Sequence, residues 1–176
     1  MPVLNSSKSD AENAADIIRD AGGRVVGKTR LQKVVYLLEL SGLGCGFSFE
    51  YRHYGPFSED LANAVVTAQI ADLITEEEHT ASWGGSYSIF KIMSGSANSN
   101  VNAARKRILE LGMEANPISL ELAATAAYLA DEGDSDPWAE TSRRKPEKAE
   151  KWLNDAKTLY TTLRLVKNVP KQLPSI

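Results

Sequence analysis

Between residues 31 and 40 the chain is apolar on nearly every side. Leu31, Val34, Val35 and Leu38 form one helical stripe and Tyr36, Leu37 and Leu40 a second, so this segment is predicted as a helix from Arg30 to about Ser41 buried at the centre of the core. Arg30, Gln32, Lys33 and Glu39 are its polar exceptions. Thr29 is a candidate N-cap, and Gly42 ends the helix. Ahead of it, Ser9 is placed to cap a helix over residues 10–21 with Ala14, Ile17, Ile18 and Ala21 on one face, stopped by Gly22-Gly23. The residues before Ser9 have the composition of a loose tail.

The period then changes from that of a helix to that of a strand. Phe47, Phe49 and Tyr51 alternate with Ser48, Glu50 and Arg52, which predicts a short half-buried strand over 47–53. Gly55-Pro56 is expected to turn the chain into a third helix. That helix runs from a Ser58 cap to about Ala71, with Glu59 and Asp60 at the positive end of its dipole. Two further runs, 73–80 and 87–93, flank Ser82-Trp83-Gly84-Gly85-Ser86 and predict a hairpin with Trp83 at its tip. The polar stretch 94–100 is the expected linker.

Beyond the linker only helices are predicted. One carries Val101, Ala104, Ile108 and Leu111; a second, capped by Ser119, carries Leu120, Ala123, Ala124 and Ala127. After a loop over 131–136, Pro146 opens a last helix with Ala149, Trp152, Leu153, Ala156, Leu159, Tyr160 and Leu163 on a near-heptad stripe, and the tail from Asn168 is expected to be unstructured. The fold expected is therefore α+β and predominantly helical: a winged-helix-like N-terminal half over 9–93 packed against a helical half over 99–167 as one unit. At 176 residues the chain is long enough for one full core.

Composition changes the picture mainly by exclusion. A net charge of −3 provides no overall field to gather nucleic acid or an anionic membrane. One cysteine, Cys45, cannot form an internal disulfide, and neither a signal-peptide core nor a membrane-spanning apolar run is present, so the expected address is the cytoplasm without membrane attachment. His53 and His79 lie outside metal-ligand spacing, and the glycine pairs lack the lysine and hydroxyl residue of a phosphate loop; neither metal nor cofactor is expected.

The segment from Lys28 to Glu39, with Leu31-Gln32-Lys33-Val34-Val35-Tyr36 at its heart, followed by Phe49, Tyr54-Gly55-Pro56 and Ser58-Glu59-Asp60-Leu61, resembles the Panacea antitoxin domain and the related YwgA-like prokaryotic proteins. Glu121 to Leu129 and the Lys145-Pro146 helix start are similar to the YwgA-like branch, and the likeness spans residues 28–165. What the resemblance implies is a helical domain that holds another protein, typically a toxin encoded nearby, and uses no catalytic residue. The expected partner-binding residues are Arg30, Lys33, Tyr54, Gly55, Pro56 and Trp83.

Two rivals stand beside that expectation. The element order is that of a winged-helix DNA-binding regulator, but the segment 58–73 in the groove-reading position contains no Arg or Lys, and Glu59, Asp60 and Asp72 would be repelled by phosphate. The nucleic-acid reading therefore moves to Arg105, Lys106 and Arg107 and to Arg143, Arg144 and Lys145. The second rival is an enzyme assembling a proton-transfer group from His53, Ser58 and Asp60 around the Gly-Pro corner.

Overall fold

Seven helices and five strands are present in a computed structural model that describes residues 7–93 and 100–176; the linker expectation falls largely on 94–99, outside them. α1 (Asp10–Asp20) begins at Ser9 in a full capping box, with Glu12 reaching back to the Ser9 amide at 2.7 Å. β1 (Arg24–Val26) follows, a short strand the periodicity did not announce. α2 (Lys28–Leu40) starts two residues earlier than predicted. Its N-cap is Gly27 rather than Thr29, because the chain leaves β1 with φ near +99°, a conformation that favours glycine.

α2 is the interior rod its pattern predicts. Leu31 through Leu38 and Leu40 are all buried, and each aliphatic side chain removed from water contributes about 1.5–3 kcal/mol. Its aromatic Tyr36 meets Phe49 at 5.2 Å and Tyr128 at 5.8 Å between ring centroids.

β2 (Glu50–Arg52) pairs antiparallel with β3 (Gly55–Phe57), so the turn is His53-Tyr54, and Gly55-Pro56 belongs to a strand instead of making the corner. α3 (Glu59–Ile70) is capped by Ser58, whose Oγ accepts the Leu61 amide at 3.1 Å. β4 (Ile74–Thr80) and β5 (Ser86–Ile92) form the predicted hairpin, and β1 pairs with β5 so that the sheet runs β1-β5-β4. With α1, α2 and α3 this is the order and sheet arrangement of a winged helix, into which β2-β3 is inserted.

In the C-terminal half α4 (Ala103–Glu114) and α5 (Pro117–Asp131) are capped by Asn102 and Asn116; Ser119, the expected cap, is buried one turn inside α5. α6 (Pro137–Arg144) occupies residues to which no element was assigned, started by Asp136 and Pro137, and α7 (Pro146–Arg164) follows almost at once. α5 packs on α2, α6 and α7, so both halves share one core. The tail after Asn168 forms no helix or strand, yet it is docked. Leu173 is buried, the Lys171 amide donates to Ser41 O at 3.0 Å, and Tyr160 Oη donates to Pro174 O at 2.7 Å. Two prolines stop regular structure without stopping burial.

Candidate functional site: the N-terminus of the central helix and the wing

The residues of the family-like segment do not share one surface. Arg30, expected as a partner-binding residue, turns inward: its guanidinium donates to Val26 O at 3.0 Å and to Gly112, Met113 and Ala115 O at 2.7, 3.0 and 2.7 Å. It thereby satisfies carbonyls that the end of α4 leaves without helical partners. Gln32 clamps Ser58 from both sides, donating to its carbonyl at 3.0 Å and accepting from its amide at 2.8 Å.

Lys33, expected at a polar outer edge, is only 2% exposed. Its Nζ donates to Pro56 O at 2.7 Å. The cause is geometric: on a helix buried all round, no face remains from which the ammonium could reach water. Burial pulls its pKa down to about 8; the field of Glu121 opposes this, and those of Lys145 and Lys148 reinforce it.

Those three residues form a second buried polar cluster. Glu121, on α5 and 4% exposed, accepts from Lys145 Nζ at 2.9 Å and from Lys148 Nζ at 2.8 Å, while Lys145 also donates to His53 O at 2.9 Å. Lys145 and Lys148 thus hold a single carboxylate, whose field also reaches Lys33. Glu121 entered the sequence reading only as the first residue of the stretch running to Leu129 and was given no role; a lone acid in an otherwise apolar helix is the signal that could have exposed it.

The β2-β3 hairpin is split in the same way. Gly55 and Pro56 are buried, and a Cβ on Gly55, whose φ is +90°, would lie 2.4 Å from Thr125 Oγ1, so glycine permits the hairpin to rest on α5. Of the expected residues here Tyr54 faces out, 53% exposed. Its ring packs edgewise against His53 at 4.7 Å, and Lys148 Nζ sits 5.0 Å from its centroid.

Trp83 is the most outward of the expected residues at 77% exposure. It tops the β4-β5 turn, closed by the Ala81 amide donating to Gly85 O at 2.7 Å, and its ring lies over Gly85, which has no side chain to obstruct it. Beneath the wing is an open groove of about 570 Å3 whose walls include Val26, Lys28, Arg30, Trp83, Tyr87 and Pro117. A second cavity, of about 290 Å3, lies between α2 and α3 and is walled mainly by Leu31, Phe57, Leu61, Val65 and Phe90, with Lys33 and Tyr54 also lining it. Lys28 and Thr29, in the first turn of α2, border both.

The basic residues set aside for nucleic acid are largely engaged. Arg105 pairs with Asp20 at 3.0 Å and donates to Leu43 O at 2.9 Å; Arg107 reaches Glu110 at 3.4 Å, and Lys106 is exposed. Arg143 and Arg144 both hold Glu140, at 2.7 and 2.6 Å, keeping its carboxyl down at about 2, and Arg144 also lies 4.6 Å over the Tyr51 ring. Lys145 is buried on Glu121. The outward face of α3 consists of Glu59, Asp60, Asn63, Val66, Thr67 and Ile70, an acidic and apolar surface.

The proton-transfer grouping is not assembled either. His53 borders a depression with Arg144, Lys145 and Lys148, whereas Asp60 borders another with Ser9 and Asn63, and the Ser58 hydroxyl is spent as a helix cap. Among the described residues no group of three His, Cys, Asp or Glu is placed to hold a metal ion, and no helix is long and apolar enough to cross a membrane. No protein-family model matches the chain, and no curated protein matches it.

Proposed function

We propose that this protein is a non-catalytic recognition module that holds a partner protein, of the antitoxin-like kind its Leu31-Gln32-Lys33 helix and Gly55-Pro56 segment resemble, and that its gripping surface is the wing. The observation carrying this reading is Trp83: a large aromatic side chain 77% exposed on a closed hairpin turn, above a groove with room for a partner's side chains. Burying such a ring against a partner supplies contact area with little loss of side-chain freedom, and tryptophan is among the residues enriched at interface hot spots. Tyr87, 37% exposed and stacked on His79 at 5.6 Å, extends the aromatic surface along the same hairpin.

In this reading Arg30, Lys33, Gly55 and Pro56 act from inside. They join the wing side of α2 to α4 and to β3, so the likeness in this segment is a likeness of scaffold. The DNA-binding alternative draws little support from an α3 face of Glu59, Asp60, Val66 and Ile70, which offers phosphate no cation.

The test is co-expression of the tagged chain with the products of neighbouring genes, comparing wild type with W83A. A stoichiometric complex weakened at least about ten-fold by W83A, with an unchanged unfolding curve, is the expected result. A complex indifferent to W83A and to Y87A would remove the wing as the gripping surface; recovery of duplex DNA in place of protein would favour the alternative.

A further inference from the structure

We propose that the cavity between α2 and α3 is a binding site for a small apolar monocarboxylate, with the carboxylate received by the Lys33 ammonium. The inference stands apart from the wing and does not need a protein partner.

Size and lining select the class. At about 290 Å3 the cavity lies near the lower edge of small-molecule sites, and its walls are mostly carbon from Leu31, Phe57, Leu61, Val65 and Phe90. Such a lining accommodates an alkyl or aryl body and disfavours a sugar or a phosphate ester, whose several polar groups would have few partners.

Charge selects the head group. Among the described residues Lys33 Nζ has one hydrogen-bond acceptor, Pro56 O at 2.7 Å, although an ammonium carries three donors. The carboxylate whose field reaches it, Glu121, is already held by Lys145 and Lys148, so cations outnumber acids around Lys33. An entering carboxylate would offset that excess and accept the spare donors; an entering cation would worsen it.

The two ends of the cavity differ in charge balance, which sets the orientation. Near the first turn of α2 the lining includes Glu76, held by Lys28 at 3.1 Å and Gln69 at 3.0 Å, an anion already in place. Lys33 is reached about one and a half turns further along α2. A monocarboxylate finds the Lys28 charge already matched at the Glu76 end and an ammonium without its own carboxylate at the Lys33 end. Burial holds Lys33 near 8, so a carboxylate within hydrogen-bond reach should return it toward the ordinary lysine value.

The experiment is an NMR titration of the full chain with octanoate, following the lysine side-chain resonances against pH, with 1-octanol as the uncharged comparison and K33M to assign the Lys33 signal. Expected are saturable octanoate binding, perturbation of Leu61, Val65 and Phe90, and a Lys33 titration midpoint raised by about one unit or more that 1-octanol does not produce. K33M should weaken octanoate binding at least about ten-fold; should it fail to fold, the wild-type titrations decide alone. Octanoate that leaves Lys33 unmoved, equal binding of 1-octanol, undiminished binding by K33M, or perturbations confined to the His53–Lys148 depression would each overturn the proposal.

Discussion

The first turns of α2 and the tip of the wing lie on either side of one groove, yet they treat polar and aromatic side chains in opposite ways. On α2, Arg30, Gln32 and Lys33 each bond to backbone atoms, of Gly112, Ser58 and Pro56 in turn, and each bond reaches an element distant in sequence. On the wing, Trp83 and Tyr87 turn outward from a hairpin whose own closure depends on the main chain. The difference teaches that the most distinctive polar residues here are joints of the scaffold. The exposed aromatic side chains stand apart from those joints, on the hairpin.

The hardest blow to that contrast should come from E121A. Removing the acid strands the buried Lys145 beside Lys33, whereas Lys148, a third exposed, can swing out. A loss of about 3–5 kcal/mol in urea unfolding is expected, with most of it recovered in E121L/K145M, where neither charge remains buried. Next, R30M should cost about 2–3 kcal/mol, because Gly112, Met113 and Ala115 carbonyls lose a charged donor while the aliphatic packing is largely kept. A result within 0.5 kcal/mol for either would mean that these joints are surface decoration, as is usual for exposed ion pairs.

Lys33 sharpens the comparison through pH. Its folded-state pKa, about 8, lies below the ordinary lysine value of 10.5, so between those values the unfolded chain binds more protons and stability rises with pH. The increment should be on the order of 2 kcal/mol by pH 10 and absent in K33M. The buried phenols of Tyr36 and Tyr160, whose pKa values burial raises, act in the opposite direction, and their effect begins only as unfolded tyrosine ionises near pH 10. Urea midpoints at pH 7.5 and 9.5 therefore isolate Lys33. A wild-type curve flat over that interval would show that the ammonium is solvated.

What was legible in the sequence follows the same division. Local signals worked: Ser9 and Ser58 cap their helices, the two-residue alternation marks β2, and the all-round apolar stretch of α2 is the core rod. β1 was missed because three residues carry too little period, and α6 because Asp136-Pro137 also suits a turn. The candidate site was half legible. Tyr54 and Trp83 do face outward, but the inward turn of Arg30 and Lys33 depends on carbonyls at Gly112 and Pro56, set by long-range packing that no local spacing records. The Glu121 cluster joins residues from β2-β3, α5 and α7, and is invisible to any window along the chain.

The smallest expected effect on stability is also the most discriminating. Trp83 is 77% exposed and its ring covers little beyond Gly85, so W83A should change the unfolding free energy by no more than about 0.5 kcal/mol. A ring kept in water has no folding role sufficient to account for it. If the wing is the gripping surface, the same substitution that is silent in urea should weaken partner binding at least about ten-fold, while E121A and E121L/K145M, read at a temperature where they remain folded, leave the intrinsic affinity nearly unchanged. Affinity losses that track stability losses across the three variants would erase the distinction between joint and grip. A loss confined to W83A would establish it, because only that side chain is spared every internal duty.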